Sequence, residues 1–325
     1  MFDLDMRKTF LTKRTHENTD GRCFSAPLGA FGCPCVRLHP LGAMRVADAL
    51  FRRDMLGPSF LNLMTSWTGL LLIEKVVMEF LMPLMIPSIE AFESFMGRRL
   101  AVAILATMNS TVSFWGFGLL FALPALFKVR RWKIQANKDL DTNMLFESLP
   151  LIACNFTMQV FVGLPAMWFG LPQSSYDWHR LPTTDILARD VFVWLLVEEV
   201  CFFYVHKWLH ENKEMYAAVH KIHHTWTAPI SLVAIYCHPF EHLVSNILPV
   251  MLGPMICGSH VAAVGVFLFV GTIHTLIVHS GYWFCDDNGM HDEHHAKFNV
   301  NFGVMGLMDS IYGTYRLPPG ARVSK

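Results

Sequence analysis

Thirteen of the chain's 16 histidines fall in the 90 positions from 206 to 295. His206 and His210 stand four apart. His220, His223 and His224 set a spacing that His291, His294 and His295 repeat. On a helix, positions i, i+3 and i+4 share one face, so each group is read as a set of facing imidazoles. Between them stand His238, His242, His260, His274 and His279. A single buried histidine is ordinarily a hydrogen-bonded core residue, and that reading is kept for His16, His39, His179 and His260. Three facing groups are another matter. Gathering many imidazoles in dry surroundings costs desolvation and, below neutral pH, mutual repulsion, unless a cation holds them neutral as ligands. A four-ligand zinc site would use only part of the set. Eight or more histidines divided between two centres suit a pair of metals with five or six ligands each. Imidazole serves iron and zinc alike, so ligand type leaves the metal open.

The elements that must carry these residues have the composition of a membrane protein. Hydrophobic residues make up 53% of the 325 and charged ones 16%, where about 25% charged is usual for a globular domain. Lys+Arg and Asp+Glu number 26 each, which excludes the broad basic face that nucleic acid requires. Eight cysteines, close together only at Cys33 and Cys35, fit neither a disulfide scaffold nor a paired zinc module and are read as reduced thiols. Residues 1–58 lack periodicity and any secretory signal, and are read as a mobile N-terminal tail in which Cys23, Cys33 and Cys35 are incidental. Phe60–Met82 is apolar but carries Glu74, Lys75 and Glu79, so it is either a tilted first membrane helix or an interfacial one. Leu100–Phe127 is uncharged and, at roughly 42 Å as a helix, long enough to span. Ser148–Gly170 is a second uncharged run, and Asp185–Val205 a third candidate with Glu198 and Glu199 near its end. His242–Cys285 is uncharged too, broken by Pro249, Gly253, Pro254 and Gly258, which predicts a helical hairpin.

The expected fold is therefore an all-α integral membrane protein with four to five membrane-embedded helices and a cytosolic histidine-rich helical cap. Its segments are N-terminal membrane helices over 59–184, a histidine-bearing domain over 185–316 and a C-terminal tail over 317–325. Lys128, Arg130, Arg131, Lys133 and Lys138 form the strongest basic loop, which places that loop in the cytosol. Counting spans from there puts every histidine group on the cytosolic side. A site where apolar helices meet the cytosol suits a membrane-dissolved hydrocarbon, and attack on unactivated C–H bonds calls for dioxygen and a redox metal, which zinc is not. Glu198 and Glu199 are either partners that orient imidazoles or an interfacial pair. Trp208, Trp226, Phe202 and Phe203 either line a lipid entrance or anchor the interface.

The order His206xxxHis210, His220xxHis223His224, His279-Ser-Gly-Tyr282, His291xxHis294His295 resembles the fatty acid hydroxylase/sterol desaturase superfamily of membrane di-iron oxygenases. The resemblance covers about residues 185–316. His220–Pro229, His238-Pro-Phe-Glu-His242 and Asp309-Ser-Ile-Tyr-Gly-Thr314 are similar to its 4-methylsterol monooxygenase branch. It implies two iron ions held by His206, His210, His220, His223, His224, His291, His294 and His295, with His279 as a ninth ligand. His238 matches a family histidine and joins the metal-site set, and His242 and His274 are its outlying candidates. It further implies a lipid oxidoreductase in the endoplasmic reticulum membrane, acting on a sterol or, alternatively, on a fatty acyl chain or ceramide. A non-catalytic scaffold that keeps the fold is the remaining alternative. The chain has no fused cytochrome b5 and no dinucleotide-binding motif, so electrons are expected from a separate cytochrome b5 or NADPH-dependent reductase.

Overall fold

Gly97, at φ +80°, separates the first two long helices of the computed structural model, which describes residues 67–283 and 288–321. The first helix, α1, covers 67–96, and α2 is Arg98–Leu126. Asp141 accepts the Met144 N–H and starts α3, Thr142–Gly170. Next come α4, Thr184–Glu211, and the short α5, Lys213–Ala218. A helical hairpin of α6, Pro239–Cys257, and α7, Val261–Val278, precedes the short α8, Met290–Lys297, and α9, Leu307–Tyr312. Among the described residues there is no strand; an isolated antiparallel bridge joins Lys133 to Tyr282. What was expected of residues 1–58 lies outside the described residues.

Among the described residues four helices, α2, α3, α6 and α7, are long and apolar enough to cross a bilayer. Large apolar side chains cover their outer faces; Phe161 and Phe169 on α3 are 72% and 85% exposed. Such a surface suits contact with lipid. The third expected span does form a helix, α4, but it is not among these four. Its acidic residues explain this, since Asp190 and Glu199 are buried against protein: Asp190 accepts from the Ser259 hydroxyl at 2.7 Å and pairs with Arg189 at 2.5 Å. The ambiguous first segment, from Trp67 on, is likewise a helix that meets protein, with Glu74 buried and Lys75 joining Glu79 to the Thr184 hydroxyl at the start of α4.

α4 packs on α1 and α6. Gly253 allows the α4–α6 crossing, because a Cβ there would lie 2.7 Å from the Trp194 Cα. Trp194, fully buried, packs on Phe267 of α7 and donates its indole N–H to Ser259. The hairpin turns at the last of the four expected breakers. Gly258 takes the left-handed conformation, closing α6, and His260 caps α7 by accepting the Ala262 N–H. Pro249, Gly253 and Pro254 stay within α6, as prolines can in a membrane helix packed on neighbours. At the other end, backbone bonds from Ile134 to Gly281 and from Trp283 to Trp132 tie the loop after α2 to the chain leaving α7.

Candidate metal centre

The histidines reach one place from four elements. α4 supplies His206 and His210, one turn apart; a short 3₁₀ segment, His220–Thr225, supplies three rings; His279 ends α7; α8 supplies the last three. They form two clusters, in each of which the candidate ligand nitrogens lie within 4.8 Å of one another: His206, His210, His220, His224 and His294 in the first, and His223, His279, His291 and His295 in the second. The two repeated groups do not act as units with one shared face. His220 and His224 join the first cluster and His223 the second; His291 and His295 join the second and His294 the first. Successive residues on a helix point about 100° apart, so each His-His pair straddles the two clusters. The His223 and His224 ring centroids lie 5.6 Å apart, those of His294 and His295 5.8 Å.

Hydrogen bonds on the far side of four rings fix which nitrogen carries the proton. His206 Nδ1 donates to the Phe302 carbonyl at 2.8 Å and His294 Nδ1 to the Val300 carbonyl at 2.7 Å. His223 and His279 donate to the carbonyls of Tyr236 and Thr275, and His220 Nδ1 shares a hydrogen bond with the Glu241 carboxyl at 2.8 Å. A carbonyl only accepts, so Nδ1 holds the proton and Nε2 is left as a bare lone pair. Yet the Nε2 atoms face one another. His220 and His210 are 2.7 Å apart, His224 is 3.0 Å from each of them and 3.1 Å from His294, and in the second cluster His291 is 2.9 Å from His279 and 3.1 Å from His295. Imidazole nitrogens converging at that range, in a buried place, are the donor set of a cation. Burial holds the rings neutral: it lowers His220, His279 and His294 to about 3, and holds His291 and His295 well below the ordinary value, with repulsion from neighbouring imidazoles adding to it for all but His220. Neutral imidazole is the form that binds metal.

Nine of the twelve candidate histidines are thus brought together, and three are not. His238 spends its Nδ1 accepting the Phe240 N–H, which caps the first turn of α6 and keeps the ring there. His242 is held in α6 by Asn246, and His274 lies in α7 with its buried Nδ1 unpartnered. Glu199 touches no imidazole either: its carboxylate takes the backbone N–H groups of Val304, Met305 and Met308. Of the aromatic residues, Phe203 and Trp226 are core, the latter donating to Ser148, while Trp208 is exposed and the Phe202 ring packs on His206. Sequence reasoning missed Glu241. Its signal was a carboxylate inside His238-Pro-Phe-Glu-His242. The orienting carbonyls carry no signal in residue type at all.

Comparison with known proteins agrees with this geometry. The family model for fatty acid hydroxylase matches residues 191–314. Fatty acid hydroxylase domain-containing protein 2 of Macaca fascicularis is 37% identical over 214 residues, 62% of this chain and 63% of that protein. Fatty acid hydroxylase ahd1 of Mycosarcoma maydis is 32% identical over 57% of this chain and 49% of its own length, and methylsterol monooxygenase 1 of Rattus norvegicus 27% identical over 65% and 77%. The chain therefore spans less than two thirds of the first of these relatives. No solved structure matches it.

Proposed function

We propose, from the premise that this chain belongs to the fatty acid hydroxylase/sterol desaturase superfamily, that it is a membrane-embedded lipid oxygenase with an iron ion in each histidine cluster. The observation that carries this reading is the convergence of imidazole nitrogens in two adjoining buried clusters. The first would be held by His206, His210, His220, His224 and His294, the second by His223, His279, His291 and His295. Bound there, the iron pair supplies dioxygen activation, which no side chain can provide.

The chain's own part is to hold and to exclude. The carbonyls of Phe302, Val300, Tyr236 and Thr275 keep Nδ1 of four rings protonated and fix their direction, and the Glu241 carboxyl orients His220. Eight of the nine rings are buried, which keeps water from competing with an apolar substrate. Hydroxylation of a C–H bond places one oxygen atom in the product and the other in water, consuming two electrons and two protons. Those electrons would come from a separate cytochrome b5 or NADPH-dependent reductase, on the cytosolic face of the endoplasmic reticulum membrane. The rat relative's name, methylsterol monooxygenase, favours a sterol methyl group as the site of attack. The fungal relative named as a fatty acid hydroxylase favours the second reading, an acyl chain or ceramide. Iron content of the detergent-purified chain tests the centre, with two per chain expected and none overturning it. Lipid profiles of cells lacking the protein separate the substrates: accumulated 4-methylsterols support the first, lost hydroxylated acyl chains the second.

A further inference from the structure

Two buried carboxylates near the first cluster grip a backbone loop. Glu199, on α4, accepts the N–H groups of Val304, Met305 and Met308 at 2.8, 2.7 and 2.8 Å. Asp309, on α9, accepts those of Phe302 and Gly303 at 2.8 and 2.7 Å and the Thr314 hydroxyl at 2.6 Å. Both side chains belong to fully buried residues, where hydrogen bonds to an anion are short and strong. Gly303 lies between the two acids, and a Cβ there would come within 2.6 Å of a Glu199 oxygen and 2.9 Å of an Asp309 oxygen. The clamped loop also presents the carbonyls of Val300 and Phe302, which receive the Nδ1 protons of His294 and His206.

Those two rings both belong to the first cluster. The second takes its carbonyl acceptors elsewhere, from Tyr236 and Thr275. Its α8 histidines have a separate anchor too, since Asp292 of α8 accepts from Gln135, which also donates to the Thr227 carbonyl. We propose that Glu199 and Asp309 are positioning residues for the five-histidine site alone, fixing the carbonyl frame that aims His206 and His294. Loosening the clamp lets two of five ligands turn about their side-chain bonds while leaving the four-histidine site with its own supports. The inference rests on the reading that both clusters hold metal, and it makes the two sites separable by substitutions that touch no histidine.

The test uses the full chain purified in detergent, loaded with iron(II) and assayed for metal per chain, with cobalt(II) titration followed by visible absorption to give the affinity of each site. Wild type should bind two ions. Glu199→Gln and Gly303→Ala should each keep one site at wild-type affinity and weaken the other about 10- to 100-fold, the usual cost of losing an orienting partner. Glu198→Gln, next along α4, should keep both. Gly303→Ala leaves both acids in place, so it reports on the clamp even if Glu199→Gln does not fold. Two sites of unchanged affinity in folded Glu199→Gln and Gly303→Ala would overturn the proposal, and so would joint loss of both sites in each variant. A wild-type chain that binds no metal would instead overturn the function on which it rests.

Discussion

His223 and His224 are neighbours in the chain but aim at different clusters, so truncating them one at a time separates the two sites. His223→Ala should weaken metal binding at the four-histidine site and His224→Ala at the five-histidine site, each by at least the roughly 10- to 100-fold that follows from losing a mere orienting partner. Cobalt(II) titration of the two variants checks this, and identical profiles would refute the assignment. His238→Ala tests the opposite expectation. Its ring caps α6 and joins neither cluster, so the variant should keep wild-type metal content and lose only about 1 kcal/mol of stability, the ordinary value of a helix cap. At this scale the identity of the clustered histidines was legible, because residue type and local spacing report on ligand chemistry. Their partition was not, since it depends on how the His220–Thr225 segment and α8 are turned relative to each other. His238, His242 and His274 show the converse: histidines near the clusters in sequence serve as a cap, a helix partner and a buried side chain and join neither cluster.

Helices were legible where charge was absent. The uncharged runs became α2, α3 and the α6–α7 hairpin, because lipid rewards an unbroken apolar surface. α4 was harder to place, since whether an acid on a long helix meets lipid or protein depends on partners distant in sequence. Asp190 finds Ser259 and Glu199 finds the loop before α9, and neither pairing can be read from local pattern. The α4–α6 crossing carries a specific consequence. With Gly253 set against the Trp194 backbone, Gly253→Val must push the helices apart or shift Trp194 off Phe267 and Ser259. Overpacking of this kind costs about 1–3 kcal/mol, and helix association in a bilayer depends on such close packing because burial from water contributes little there. Thermal unfolding in detergent should show the loss. An unchanged midpoint would mean that the crossing is not close.

For the molecule as a whole, the histidines draw α4, the 220–225 segment, the end of α7 and α8 together around two centres. Without a cation the same places are crowded with neutral rings whose burial has already cost their hydration. A metal that binds the folded chain alone therefore acts as a fastener across the cap. It stabilises by RT ln(1 + [M]/Kd), about 2.7 kcal/mol per site when the free metal is a hundredfold above Kd. The membrane helices α2 and α3 contribute no histidine to either cluster, and their packing should survive metal removal. Chelation should consequently lower the unfolding midpoint of the cap by several degrees, at the roughly 2–4 °C per kcal/mol usual for domains of 150–250 residues, while helix content stays near its starting value. Calorimetry with and without chelator, paired with circular dichroism, reads both quantities. Loss of the bulk of the helical signal on chelation would show that the membrane helices depend on the metal centre, and no shift at all would show that the clusters stand without a metal.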